Sequence, residues 1–171
     1  MLQTMMVSAE EELLYRAITC TVGGREHGKC WSADGNLELR FAFPNAITSG
    51  TNPEQLLGAA WSACFESTIR LVASRRPISI PDSVLIDAAI DLNRDATSYF
   101  LRAKLSVDLP GIDLHTARVL VEEAFRECPF SKAMRGNIET TVNLMLASAR
   151  QISMDQESGV SKVASALASS I

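Results

Sequence analysis

Apolar positions recur along the chain with two periods, and the changes between them divide it into elements. Over 14–22, Leu14, Ile18, Cys20 and Val22 share one face of an alternating segment, which predicts a half-buried strand and makes Cys20 a packing residue. The glycines of Gly23-Gly24-Arg25-Glu26-His27-Gly28 predict a turn or mobile loop. A hairpin follows: one arm over 29–32, a turn at Asp34-Gly35, and a return arm in which Leu37, Leu39, Phe41 and Phe43 alternate. Cys30 lies on the first arm, with no role assigned.

Thr51-Asn52-Pro53-Glu54 opens a helix, with Pro53 in the first turn and either Thr51 or Asn52 as cap. If Thr51 caps, Glu54 stands where a capping box places its carboxylate. The helix runs to about Ser74, where Arg75-Arg76-Pro77 stops it. Two alternating segments, over 84–92 and 99–109, predict antiparallel strands joined through Asn93-Arg94-Asp95. Asp113 then caps a helix whose Leu114, Ala117, Val121, Ala124 and Phe125 form one apolar face, and Pro129 ends it near Cys128. A polar loop is expected over 131–137, and Ile138, Thr140, Val142, Leu144 and Leu146 alternate as a last strand.

Strands, long helix, strands, helix, strand is an α+β order, with antiparallel sheets around a long central helix. That helix is apolar nearly all round, and Gly58, Ala59, Ala60, Ala63 and Ala73 allow close contact. Such a helix belongs at a centre, which a dimer supplies most easily in a chain of 171 residues. The expected organisation is an N-terminal extension over 1–12, one domain over 13–150, and a polar tail over 151–171 with weak apolar spacing at Val160, Val163 and Leu167.

Composition narrows the function classes. A net charge of −4 gives no electrostatic footprint for nucleic acid and no attraction to an anionic membrane surface. No apolar run has the length of a bilayer span, and the start lacks a signal-peptide pattern, so a cytoplasmic location is expected. Cys20, Cys30, Cys64 and Cys128 are scattered, which in a reducing compartment argues against a structural disulfide framework. No C-x-x-C spacing is present, and His27 and His115 are not placed as partners for a zinc site.

Cys64, inside Ser62-Ala63-Cys64-Phe65, reads equally as a small core residue or as a nucleophile. That run follows Thr51-Asn-Pro-Glu-Gln-Leu56, and later come Leu109-Pro-Gly-Ile-Asp113 and Cys128-Pro-Phe-Ser-Lys-Ala-Met-Arg-Gly-Asn-Ile138. With Gly23-Gly-Arg25 and Asp34-Gly35, these motifs resemble the OsmC/Ohr family over about residues 14 to 147, most closely its organic hydroperoxide resistance branch. The resemblance implies an intertwined homodimer and a thiol-dependent peroxidase that reduces organic hydroperoxides, with a lipoylated protein or dihydrolipoamide as reductant and no cofactor or metal. Carried across by motif, Cys64 is the peroxidatic cysteine, Cys128 the resolving one, Arg25 the activating cation and Glu54 the carboxylate that positions it. Trp61 and Phe130 stand where tyrosines are common in this branch. Ser131-Lys132-Ala133 is closer to the OsmC branch, and Glu66 is an unexpected charge.

The chemistry asks for the same residue types. Thiolate, not thiol, attacks a peroxide, and an ordinary cysteine is largely protonated at neutral pH. Cys64 lies too far into its helix for the macrodipole to ionise it, so a cation such as Arg25 is needed. Glu54 and Cys64 are ten residues apart, about 15 Å along a helix, so Arg25 and Glu54 are expected to reach Cys64 from the other subunit. Trp61, Phe65, Phe125 and Phe130 are candidate walls of a dry pocket for bulky apolar hydroperoxides, and read equally as core. Two other classes remain open: a dimeric binding or redox-sensing protein without turnover, and a zinc-bound structural protein.

Overall fold

A computed structural model describes residues 12–44 and 46–145. Except for Glu12, the expected N-terminal extension lies outside the described residues, as do Leu146 and the whole tail with Val160, Val163 and Leu167. The fold is α+β. It consists of two compact units, one ending at Pro53 and the other beginning at Glu54.

The first unit holds β1 (Thr19–Val22), α1 (Gly24–His27), β2 (Lys29–Ser32) and β3 (Glu38–Arg40) in an antiparallel sheet of order β1-β2-β3. One expectation fails here. Cys20 is exposed rather than packed, and Leu14, Ile18 and Val22 stand 81%, 55% and 53% exposed. The reason is that β1 is an edge strand of a unit whose buried apolar side chains, among the described residues, are those of Cys30, Phe41 and Ala42. Of the turn or mobile loop expected for the glycine-rich stretch, the structure has the turn, one helical turn closed by the Gly28 N–H donating to the Gly24 carbonyl at 3.1 Å. A Cβ at Gly28 would lie 2.2 Å from that carbonyl oxygen, so glycine is required to close the turn that carries Arg25.

The second unit is built on α2 (Pro53–Ser74), β4 (Leu85–Arg94), β5 (Tyr99–Asp108), α3 (Leu114–Glu127), α4 (Pro129–Met134) and β6 (Glu139–Leu144). β4 and β5 form the expected antiparallel hairpin, while β6 runs parallel to β5, because the two intervening helices carry the chain back to the sheet's starting end. The register lines up Ala88, Leu105 and Val142, and beside them Ile86, Val107 and Leu144, as continuous apolar rows. These rows share one core cluster with Trp61, Phe65, Ile69 and Val72 of α2 and Ala117, Leu120, Val121 and Ala124 of α3. Gly58 lets α2 come down on the sheet, since a Cβ there would already sit 3.2 Å from the Ala88 carbonyl oxygen. The outward face of α2 keeps Ala59, Ala60, Ala63 and Leu71 exposed.

The expected polar loop over 131–137 begins instead as α4. Pro129 explains this: it is pre-set for the first turn of a helix and lacks the amide that position leaves unbonded. At the other end of α3, the Asp113 carboxylate accepts the Thr116 N–H at 3.0 Å, and the Thr116 side chain and then this N–H hold the Asp113 carboxyl below its ordinary value. Asp113→Ala is expected to lower stability by removing this cap, read as a lower urea midpoint with unchanged slope. An unchanged midpoint would contradict this assignment of the cap.

Candidate active site

Cys128 is the residue at which α3 stops and α4 starts. Its φ and ψ of −54° and 125° leave the helical region, as the following proline demands. Its N–H still donates to Ala124 at 2.8 Å, while its carbonyl already accepts from Lys132 at 2.9 Å. The corner is braced by Arg135, which donates to the Arg126 carbonyl at 3.3 Å and so bonds the end of α3. α3 itself is tied to the end of α2 by Arg75 to Glu127 at 2.7 Å and by Arg76 to Glu123.

This packing sets the fully buried Cys128 sulfur 3.7 Å from the sulfur of Cys64, which is half-buried in the middle of α2. Both are free thiols. A disulfide needs about 2.05 Å, so the pair is unbonded but within reach of bonding after a small movement. Burial pushes the Cys64 thiol above its ordinary value, the Phe130 backbone N–H opposes this by donating to the sulfur, and Cys128 adds to the rise. Within the second unit, burial therefore works against ionisation of Cys64.

The aromatic candidates divide. Trp61 and Phe65 have no exposed surface, and the Trp61 Nε1–H donates to Ser131 Oγ at 2.9 Å. Phe65 meets the edge of Phe125 at a centroid distance of 6.1 Å. Phe125 and Phe130 are half-buried, and Phe125 faces a groove of about 680 Å³ with Leu114, Val121 and Leu144. Glu66 pairs with Arg70 one turn on, and Arg70 in turn donates to the Pro81 carbonyl at 3.2 Å, so this charge holds the approach to β4.

Arg25 lies on α1 of the first unit, and Glu54 in the first turn of α2. Because α2 is unbroken from Pro53 to Ser74, Glu54 and Cys64 of one chain stand about 15 Å apart along the helix. Among the described residues no group of His, Cys, Asp or Glu could hold a metal ion, and no helix is long and apolar enough to cross a membrane. The sequence reading missed Ser131 and the Phe130 amide. Two signals pointed to them: a tryptophan inside an apolar helix needs an acceptor for its N–H, and a proline after Cys128 can start a helix as well as stop one.

Comparison with known proteins adds the following. A family model described as OsmC-like protein matches residues 46–143. The organic hydroperoxide resistance protein of Xanthomonas axonopodis pv. citri is 33% identical over 142 residues, 81% of this chain and 99% of that protein. A crystal structure of an organic hydroperoxide resistance protein from Legionella pneumophila superposes with a TM-score of 0.73 at 34% identity, covering 79% of this chain and 100% of the other. That of the organic hydroperoxide resistance protein OhrB of Bacillus subtilis gives 0.73 at 34% identity, over 78% of this chain and 100% of the other.

Proposed function

The chain belongs to the OsmC family, and on that premise we propose that it is a thiol-dependent peroxidase, in the cytoplasm, for organic hydroperoxides. The relatives named as organic hydroperoxide resistance proteins support the substrate class. The observation that carries the reaction is the 3.7 Å separation of two free thiols sixty-four positions apart.

In the first step the Cys64 thiolate attacks the terminal peroxide oxygen. The S–O bond forms, the O–O bond breaks, and the alkoxide takes a proton from water to leave as alcohol. Cys64 is then a sulfenic acid. Cys128 attacks its sulfur, the S–S bond forms, and water leaves. A dithiol such as dihydrolipoamide, free or on a lipoylated protein, returns both electrons by thiol–disulfide exchange.

Burial works against ionisation of Cys64, so the reaction calls for a cation beside the sulfur. We assign that role to Arg25, oriented by Glu54, with both residues supplied by the other subunit of an intertwined homodimer. Two features support the dimer: the exposed apolar face of α2, and the exposed Ile18, Val22, Trp31, Phe43 and Ile47 of the first unit. A guanidinium beside the sulfur lowers its pKa and stabilises the charge that builds on the departing oxygen. Phe125 and Phe130, half-buried near the cysteine corner, supply apolar contact for the substrate's hydrocarbon part, and Trp61 and Phe65 back them from the core. The raised Cys64 thiol also favours a second reading, a dimeric binding or redox-sensing protein without turnover, and steady-state kinetics separate the two.

With dihydrolipoamide as reductant, the protein should turn over cumene hydroperoxide at least about tenfold faster than hydrogen peroxide, the scale of two or more buried methylenes. Equal rates would remove the apolar pocket, and no turnover of either would leave the binding reading. A subunit-mixing experiment tests the shared site: Cys64→Ser and Arg25→Ala proteins, each inactive alone, should regain activity as heterodimers. No recovery after verified exchange of subunits would place both residues' work within one chain.

A further inference from the structure

Two side-chain contacts between α2 and the turn that begins α4 lie one helical turn apart. Trp61 and Cys64 are three residues apart on α2, and Cys128 and Ser131 have the same spacing on the other side. The sulfurs of Cys64 and Cys128 make one rung at 3.7 Å, and the Trp61 indole N–H to the Ser131 hydroxyl makes the other at 2.9 Å. The polar rung is sealed, with Trp61 0% and Ser131 1% exposed. Neither side chain has surface to offer a substrate. If either lost its polar atom, the other would be left buried without its partner, so the pair strongly favours one placement of α4 against α2.

We propose that the Trp61–Ser131 hydrogen bond positions Cys128 for disulfide closure, and so decides whether the Cys64 sulfenic acid is resolved or oxidised further. The inference rests on the peroxidase reading. At the sulfenic acid two reactions compete. Attack by Cys128 forms the S–S bond and releases water. Attack on a second hydroperoxide forms a second S–O bond, releases another alcohol, and leaves an irreversible sulfinic acid. Closure requires the sulfurs to approach from 3.7 Å to about 2 Å. The polar rung, one turn along both elements, limits how far the α4 turn can drift from that approach. Ser131 is thus a positioning residue acting through Cys128, and Trp61 is its anchor in the core.

Oxidation of the protein with excess cumene hydroperoxide in the absence of reductant, followed by intact-mass analysis, reads the partition directly. Disulfide product is lighter by two hydrogens, and sulfinic product heavier by two oxygens. Ser131→Ala should raise the ratio of sulfinic acid to disulfide by about 3- to 10-fold, the scale of one neutral hydrogen bond, with the rate of first alcohol release unchanged. Trp61→Phe, which keeps the ring and removes the N–H, should shift the partition the same way. The double variant should be no worse than the larger single effect, and Ser131→Thr, which keeps the hydroxyl, should return the ratio toward wild type.

Equilibration with glutathione redox buffers reads the same proximity without hydroperoxide. There the Cys64–Cys128 disulfide of Ser131→Ala should be easier to reduce by the same factor. If the wild-type protein fails to react with hydroperoxide, the peroxidase reading falls and the glutathione equilibrium still decides the positioning role. Wild-type partition or wild-type reducibility in both Ser131→Ala and Trp61→Phe would overturn it.

Discussion

One proline organises the candidate site. Pro129 forces Cys128 out of the helical conformation, which ends α3, and its own fixed geometry starts α4 at the next residue. The chain therefore bends at Cys128, and its sulfur sits at a corner instead of along a helix face. Because α3 is held on the sheet by Leu120 and Ala124, and on α2 by the Arg75 and Arg76 ion pairs, the corner falls against the middle of α2 where Cys64 lies. The Arg75–Glu127 pair is solvent-facing and contributes little stability on its own, while Arg76–Glu123 is partly buried. The buried cluster does most of that work, and the proline determines which atom it delivers to Cys64.

The same packing imposes an electrostatic constraint. Setting Cys64 against the core brings it to Cys128, and also withdraws it from the water that would stabilise a thiolate, so proximity and ionisation pull against each other. The Phe130 amide offsets part of this, at the cost of no extra charge. On the proposed peroxidase reading a cation supplies the rest, and the candidate, Arg25, is held on a tight glycine-closed turn of the first unit. A dimer that brings such a turn to Cys64 would explain why both units leave apolar surface uncovered when the chain is taken alone.

Much of this was legible in the sequence. α2, the β4–β5 hairpin and the Asp113-capped α3 follow from long periodic runs with clear start and stop residues, where local pattern and tertiary packing agree. The errors lie where periodicity is too short or a signal has two meanings. Four alternating residues ending at Val22 do not distinguish a buried strand from an edge strand of a thin sheet, so Cys20 reads as a packing residue although it is exposed. Glycines around Arg25 left a turn and a mobile loop both open, and the turn that Gly28 closes decides between them. Pro129 was read as a stop and is also a start, which hid α4 and with it Ser131. The motif around each cysteine was clear, but their nearness depends on contacts between elements far apart in sequence, which no local pattern encodes.

The central claim is that Cys64 and Cys128 act as one two-electron unit. Its most direct measurement is a single turnover without reductant, in which alcohol released and thiols lost per chain are counted together after one equivalent of an organic hydroperoxide. The account predicts one alcohol for two thiols, both from the Cys64–Cys128 pair, and no alcohol from the Cys64→Ser protein. Alcohol formed undiminished by Cys64→Ser protein, or thiols lost from Cys20 or Cys30 instead of this pair, would contradict it.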